Sequence, residues 1–160
     1  MKKYIILIPI YNDREGLTKL IENINSEVKG LNSEISVIVI NDASSQQIID
    51  EYQNTESINS IEIINMKENR GHTRCIASGL KYIFEKKEFD YAIPMDGDGE
   101  DRPEEINNFI QLAEQSKDQS IIGERTKRSE SIFFKLCYIS HKILTFAFTG
   151  HSIKFGNFTC

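Results

Sequence analysis

Tyr91-Ala92-Ile93-Pro94-Met95, followed at once by Asp96-Gly97-Asp98-Gly99-Glu100-Asp101, is the stretch on which the reading of the fold turns. The apolar run reads as a buried strand, and it stops abruptly in acidic side chains and glycines. Side chains two apart on extended backbone point the same way, so Asp96 and Asp98 can close on one hard cation. Gly97 between them is expected to leave room for a ligand beside the backbone. Mg2+ or Mn2+ held by one or two carboxylates usually takes phosphate oxygens on its remaining positions. The stretch therefore predicts a metal-dependent site for a nucleotide diphosphate.

Simpler readings of the same residues exist. With eight Asp in 160 residues, one chance Asp-x-Asp carries little weight alone. A solvated acidic turn leading into a helix at Pro103 would look similar. An EF-hand loop starting at Asp96 fails, because Asp101 stands where the turn needs Gly and Asn107 where the last ligand needs Glu. The surrounding chain decides between them.

Working outward, apolar runs alternate with helical patterns. Strands are predicted at Tyr4–Ile8, Ile35–Ile40, Ile61–Asn65, Tyr91–Met95 and Ser120–Gly123, and helices over about 13–29, 45–56, 72–87 and 103–116. Leu17, Leu20, Ile21, Ile24 and Val28 recur at helical spacing before Gly30. Ile76, Gly79, Leu80, Ile83 and Phe84 share a face of a later helix, and Gly79 reads as a point of close packing. This alternation predicts an α/β fold, a mainly parallel doubly wound sheet with flanking helices. Ligands then sit beyond the carboxyl ends of the strands. Those ends carry Pro9-Ile10-Tyr11-Asn12-Asp13, Asn41-Asp42-Ala43-Ser44-Ser45 and Asp96-Gly97-Asp98, so acidic groups are expected to converge at one edge.

Composition agrees with a globular domain: 39% hydrophobic residues and a mean hydropathy of -0.37. Cys75, Cys137 and Cys160 are odd in number and lack CxxC spacing, which argues against a disulfide framework or zinc site and for a reducing cytoplasm. Tyr4–Ile8 is too short for a signal peptide core and runs directly into polar residues. The net charge of -5 hides an asymmetry: residues 124–160 hold six Lys/Arg and two Glu. That basic end suits phosphates or an anionic membrane surface, or is simply a solvated face. Nothing in the pattern suggests nucleic-acid binding.

Five motifs, in this order, make the chain recognisable. Ile8-Pro9-Ile10-Tyr11-Asn12, Val39-Ile40-Asn41-Asp42-Ala43-Ser44, Asn69-Arg70-Gly71, Ala77-Ser78-Gly79-Leu80 and Met95-Asp96-Gly97-Asp98 resemble the inverting, GT-A-fold family 2 glycosyltransferases. Asp98 to Glu105 looks like the polyprenyl- or dolichol-phosphate sugar synthase branch. The resemblance covers roughly residues 4–128.

The resemblance implies a nucleotide-diphosphate sugar as donor, Mg2+ or Mn2+ as cofactor, and a lipid phosphate as acceptor. It implies that Asp42 accepts a hydrogen bond from the base, a role a carboxylate at a strand end can play. Asp42 could instead cap the helix expected near Ser45. Pro9 and Tyr11 would line the base and ribose pocket, although Tyr11 could be core. Asp13 stands where relatives often have Glu. Asp96 and Asp98 would share the metal, and Glu100, where relatives carry Gln, would ligate it or stay solvated. Asn69 and Gly71 precede a helix whose N-terminus suits phosphate, or Gly71 merely permits the turn. Asp98 and Arg125 are the implied catalytic residues, Arg125 through bidentate bonds to the diphosphate.

Two regions follow. Residues 1–128 read as the nucleotide-sugar-binding domain and 129–160 as the start of an incomplete acceptor-side segment. Ser131–Thr149 carries an apolar face interrupted by Lys135 and Lys142, which fits peripheral contact at the cytoplasmic membrane face better than a membrane span. It fits a buried or partner-facing helix too, and the oligomeric state stays open. Two rival functions remain: a nucleotide-sugar-binding module without turnover, and a sugar-nucleotide nucleotidyltransferase. The second commonly has a glycine-rich loop after its first strand, where this chain has Tyr11-Asn12-Asp13-Arg14-Glu15.

Overall fold

A computed structural model describes residues 1–48, 52, 55–99, 101–116, 120–123, 139–140, 143–144, 148 and 158–159. The chain divides into two compact units, residues 1–121 and 122–159. In the first, four parallel strands form one sheet: β1 (Lys3–Ile10), β2 (Glu34–Asn41), β3 (Ser60–Asn65) and β4 (Tyr91–Pro94), in the order β3-β2-β1-β4. β1 lies inside the sheet, and Tyr4 to Ile8 are all at most 4% exposed. An apolar run without alternation suits a strand covered on both faces.

The helices supply that cover. α2 (His72–Lys86) sets Cys75 and Ile83 against Ile5 and Leu7 of β1 and Ile38 and Ile40 of β2. On the other face, the Tyr91 hydroxyl donates to the carbonyls of Ala113 and Ser116, at the end of α3 (Ile106–Gln115), both at 3.3 Å. Tyr91 also stacks on Tyr4 with ring centroids 5.5 Å apart. α1 (Arg14–Glu27) buries Leu17, Leu20, Ile21 and Ile24, the expected stripe. Its N-cap is Asp13, whose Oδ1 accepts from the Gly16 N–H at 2.9 Å.

Gly79 is where α2 comes closest to the sheet. A Cβ there would lie 2.4 Å from Leu7 Cδ1 and 2.9 Å from Ile40 Cγ1, both on buried residues. Gly→Ala in a helix ordinarily gains up to about 1 kcal/mol. Overpacking a filled core costs about 1–3 kcal/mol, so the clash wins. Gly79→Ala should therefore lower the thermal midpoint by several degrees in a melting experiment, whereas an unchanged or raised midpoint would show that the helix can slide away from the sheet.

The parallel, doubly wound sheet expected from the sequence is present, with three local differences. The predicted helix over 45–56 does not form among its described residues. Side chains at the strand ends capture the backbone that would have started it: the N–H groups of Ser45 and Gln46 donate to Asn12 Oδ1 at 2.8 and 3.4 Å. The predicted strand Ser120–Gly123 shortens to β5 (Ile122–Gly123) and leaves the parallel sheet. It pairs antiparallel with β6 (Phe158–Thr159) in the second unit. The helix expected from Pro103 begins as a 3-10 turn over Pro103–Glu105. In the second unit, residues 139–140, 143–144 and 148 are helical, and Ile139, Ile143, Leu144 and Phe148 are exposed.

Candidate functional site

From β1 the chain steps outward to β2 and β3, then returns across the sheet to β4 on the other side of β1. In such sheets, the carboxyl ends of the two strands flanking that reversal splay apart and leave a crevice. Here those strands are β1 and β4. A cleft of about 410 Å³ lies at their ends, lined by Pro9, Ile10, Tyr11, Asp13, His72, Asp96, Gly97 and Asp98. Five of the sequence-predicted residues meet there: Pro9, Tyr11, Asp13, Asp96 and Asp98. Tyr11 is 53% exposed, so it is not part of the core.

The loop after β4 is built from its own turn. Gly99 takes a φ of 78°, and the chain doubles back so that Asp101 Oδ2 accepts the Asp96 N–H at 2.9 Å. Asp101 is only 5% exposed and fixes the carboxylates that precede it. In the sequence Asp101 is one charge in an acidic run and a residue that excludes an EF-hand loop; its anchoring role appears only in the fold. Gly97 lines the cleft and has a packing reason to lack a side chain as well: a Cβ on it would sit 2.7 Å from the Pro9 carbonyl oxygen, so glycine lets the loop seat on β1. Across the cleft, His72 Nε2 lies 3.2 Å from Asp96 Oδ1.

Asp42 is placed differently. It is 4% exposed and is not among the residues lining the cleft. Its Oδ1 accepts the Arg70 N–H at 2.7 Å and its Oδ2 the Gly71 N–H at 2.8 Å. This clamp closes the Asn69-Arg70-Gly71 turn, with Gly71 at φ 85°, and launches α2 at His72. The Gly71 N–H is thus already used, and Asn69 is exposed on the turn. Beneath the clamp, Cys75 is fully buried. Burial, and then the Asp42 carboxylate beside it, push its thiol up to about 12, so it stays protonated and unreactive at neutral pH.

A polar belt ties the ends of β1, β2 and β3 together. Asn41 Nδ2 donates to Asn65 Oδ1 at 2.7 Å, and its Oδ1 accepts the Ser44 N–H at 3.0 Å. Ser44 Oγ accepts the Asn12 N–H at 2.9 Å. Asn12 and Ala43 both take positive φ, 53° and 55°, where an L side chain is strained. Asn12 gains hydrogen bonds for that strain, and none of this was visible in sequence spacing.

Glu100 and Arg125 lie outside the described residues, as do Lys127, Arg128 and most of 129–160. Among the described residues, no group of three His, Cys, Asp or Glu side chains could hold a metal unaided. Two carboxylates on one cleft wall nevertheless fit Mg2+ or Mn2+, which keep several positions for water and phosphate oxygens. Among the described residues, no helix is long and apolar enough to cross a membrane.

Comparison with known proteins fits this arrangement. The family model described as Glycosyl transferase family 2 matches residues 5–155. The undecaprenyl-phosphate 4-deoxy-4-formamido-L-arabinose transferase of Photorhabdus laumondii is 32% identical over 100% of this chain and 48% of its own length. The Proteus mirabilis protein of the same name is 30% identical over 84% of this chain and 40% of its own length. The chain therefore spans less than half the length of these relatives. Among solved structures, S. aureus TarS 1-349 superposes with a TM-score of 0.59 at 18% identity, covering 81% of this chain and 38% of that one. Complexes of the same TarS fragment with UDP and UDP-GlcNAc each give a TM-score of 0.54. The shared sheet, the matched model and the alignments with these transferases agree: this is a GT-A-type α/β chain, and it belongs to glycosyltransferase family 2.

Proposed function

We propose that the chain carries the donor site of an enzyme that transfers a sugar from a nucleotide-diphosphate sugar to a lipid phosphate of the polyprenyl class. The observation that carries this reading is the cleft between β1 and β4, where Asp96 and Asp98 face Pro9, Tyr11 and Asp13. Pro9 and Tyr11 would line the base and ribose, and Asp13 would reach the ribose while it caps α1. Asp42, Asn69 and Gly71 would work as one unit behind them, with Asp42 also reading the base through a lone pair the clamp leaves over.

Asp96 and Asp98, with Glu100, would hold Mg2+ or Mn2+, which when bound would offset the charge of the departing diphosphate. Arg125 would add bidentate bonds to the same group. The acceptor oxygen would attack the anomeric carbon from the face opposite the diphosphate. Its new bond to carbon would form as the bond to the diphosphate oxygen breaks, and the configuration would invert. An anionic phosphate acceptor needs no general base. The names of the relatives support the lipid phosphate. Such an acceptor would put the work at a membrane surface, for which we propose the cytoplasmic face, and the exposed Ile139, Ile143, Leu144 and Phe148 suit peripheral contact there.

Calorimetry with UDP, GDP, ADP and CDP tests the donor site. One nucleotide should bind in Mg2+ or Mn2+, and EDTA or Asp98→Ala should weaken it by at least about tenfold, or 1.4 kcal/mol. Equal affinity with and without the cation would reject the site.

A further inference from the structure

We infer that a second cleft, between α1 and the start of α3, holds the sugar of the donor. The inference deepens the donor site proposed above and rests on it. This cleft has a volume of about 660 Å³, within the roughly 300–1,000 Å³ usual for small-molecule sites. One wall is α1, through Lys19 and Asn23; the other is the 3-10 turn and α3, through Arg102, Glu104, Glu105 and Asn108. Gly97 and Asp98 line both clefts, so one loop borders the two. That loop is fixed from behind, by Asp101 on the Asp96 N–H and by the Gly99 turn. A sugar linked to a diphosphate at Asp98 therefore has the second cleft within reach, while the nucleoside keeps the first, beside Pro9 and Tyr11.

The lining selects the chemistry. Lys19 and Asn23 stand one helical turn apart, so they share a face of α1. Among the described residues, none of the six polar side chains carries a hydrogen bond or ion pair, and all six are exposed. Two cations against three carboxylates, counting Asp98, give the rim no positive excess for a second phosphate. Cations and amides set among the carboxylates also make a poor cage for a divalent ion. A neutral polyol fits instead. Each hydroxyl both donates and accepts, so the carboxylates take its protons while ammonium, guanidinium and amide N–H groups reach its oxygens. Buried Leu20 and Pro103 add apolar surface for the C–H face of a sugar ring.

Calorimetry on the full chain with Mg2+ tests this. UDP is compared with UDP-glucose and UDP-N-acetylglucosamine, GDP with GDP-mannose, and ADP with ADP-glucose. The quantity read is the affinity for the best-bound nucleotide sugar divided by that for its own nucleoside diphosphate. Arg102→Ala and Asn23→Ala, one from each wall, should each lower this ratio by at least about fivefold and leave the diphosphate within about twofold. Both side chains are exposed, so each variant should melt close to the unaltered protein. Asn108→Trp, which fills the cleft, should exclude the nucleotide sugar while the diphosphate still binds. Folded variants with an unchanged ratio would overturn the inference and leave the donor site standing. Equal loss of nucleotide sugar and diphosphate would overturn it too, since these side chains would then act on the diphosphate. So would failure of all four nucleotide sugars to bind a protein that takes a diphosphate. Binding of none of the diphosphates would sink both readings.

Discussion

Asp42→Ala is expected to lower stability by about 3 kcal/mol, because two backbone donors lose a buried charged acceptor at once. The bonds concerned are those from Arg70 and Gly71, at 2.7 and 2.8 Å. Each hydrogen bond to a charged group contributes roughly 1.5–3 kcal/mol, and water reaching the exposed turn recovers part of the loss. For a chain of this size the thermal midpoint should fall by roughly 6–12 °C. The turn and the start of α2 should loosen first, which amide exchange at Gly71 to Cys75 would register. Asp42→Asn separates this anchoring from base reading, since it keeps the shape and one acceptor. If that variant stays folded yet discriminates less between UDP and GDP, Asp42 contacts the base; if discrimination is untouched, its work is the clamp alone.

Gly97→Ala should abolish metal-dependent nucleotide binding while most of the sheet survives. The added methyl would sit 2.7 Å from the Pro9 carbonyl oxygen and 3.2 Å from Ile10 Cδ1. The first of these is backbone of an interior strand and cannot swing aside as a side-chain tip can. The loop must move instead, carrying Asp96 and Asp98 with it. A shift of that size at a two-carboxylate site should weaken binding about 100-fold, or 2.7 kcal/mol. Gly99→Ala makes an instructive contrast. Nothing lies within 4 Å of its Cβ, but its φ of +78° costs an L residue roughly 1–2 kcal/mol. Calorimetry on the two variants should therefore show a near-complete loss for Gly97→Ala and a partial one for Gly99→Ala. The reverse order would mean that the loop does not rest on β1.

Much of this could be read along the chain because the signals are local. Tyr4–Ile8 announces a strand by an unbroken apolar run, Ile35–Ile40 and Ile61–Asn65 do so by Ile/Val-rich runs interrupted by Ser36 and Glu62, and the stripe from Leu17 to Ile24 announces a helix by its spacing. The β-α alternation predicts that acidic groups at the ends of β1, β2 and β4 converge at one edge; Asp13, Asp96 and Asp98 do line one cleft, whereas Asp42 after β2 is buried outside its lining. Contacts made by side chains across long separations were not legible. Asn12 intercepts the backbone of Ser45 and Gln46 from more than thirty residues away, and the helix expected over 45–56 loses its start. Asp101 owes its place to the left-handed turn at Gly99, which reverses the chain in a way no periodicity records. The approach of His72 to Asp96 leaves no trace in the sequence for a similar reason: their distance is a property of two elements brought together by the sheet order.

The interior position of β1 bears on how the chain reaches this state. Lys3–Ile10 is made before every strand it pairs with, and Tyr4 meets Tyr91 only after the whole β2, β3 and α2 region has been synthesised. Parallel pairing at such separation closes large loops before it returns any contact energy, which slows folding. During that wait a sticky apolar strand has one sheet edge to offer and no neighbour to satisfy it. Lys2 stands directly before it and Lys3 opens it, and charged ends of this kind discourage self-association of exposed strands. In the finished structure the same two lysines are re-employed: Lys2 Nζ donates to the Ala113 carbonyl at 2.8 Å and Lys3 Nζ pairs with Glu88 at 3.0 Å. The residues that keep the newborn strand apart from its copies thus become the ones that tether it to α3 and to the approach of β4.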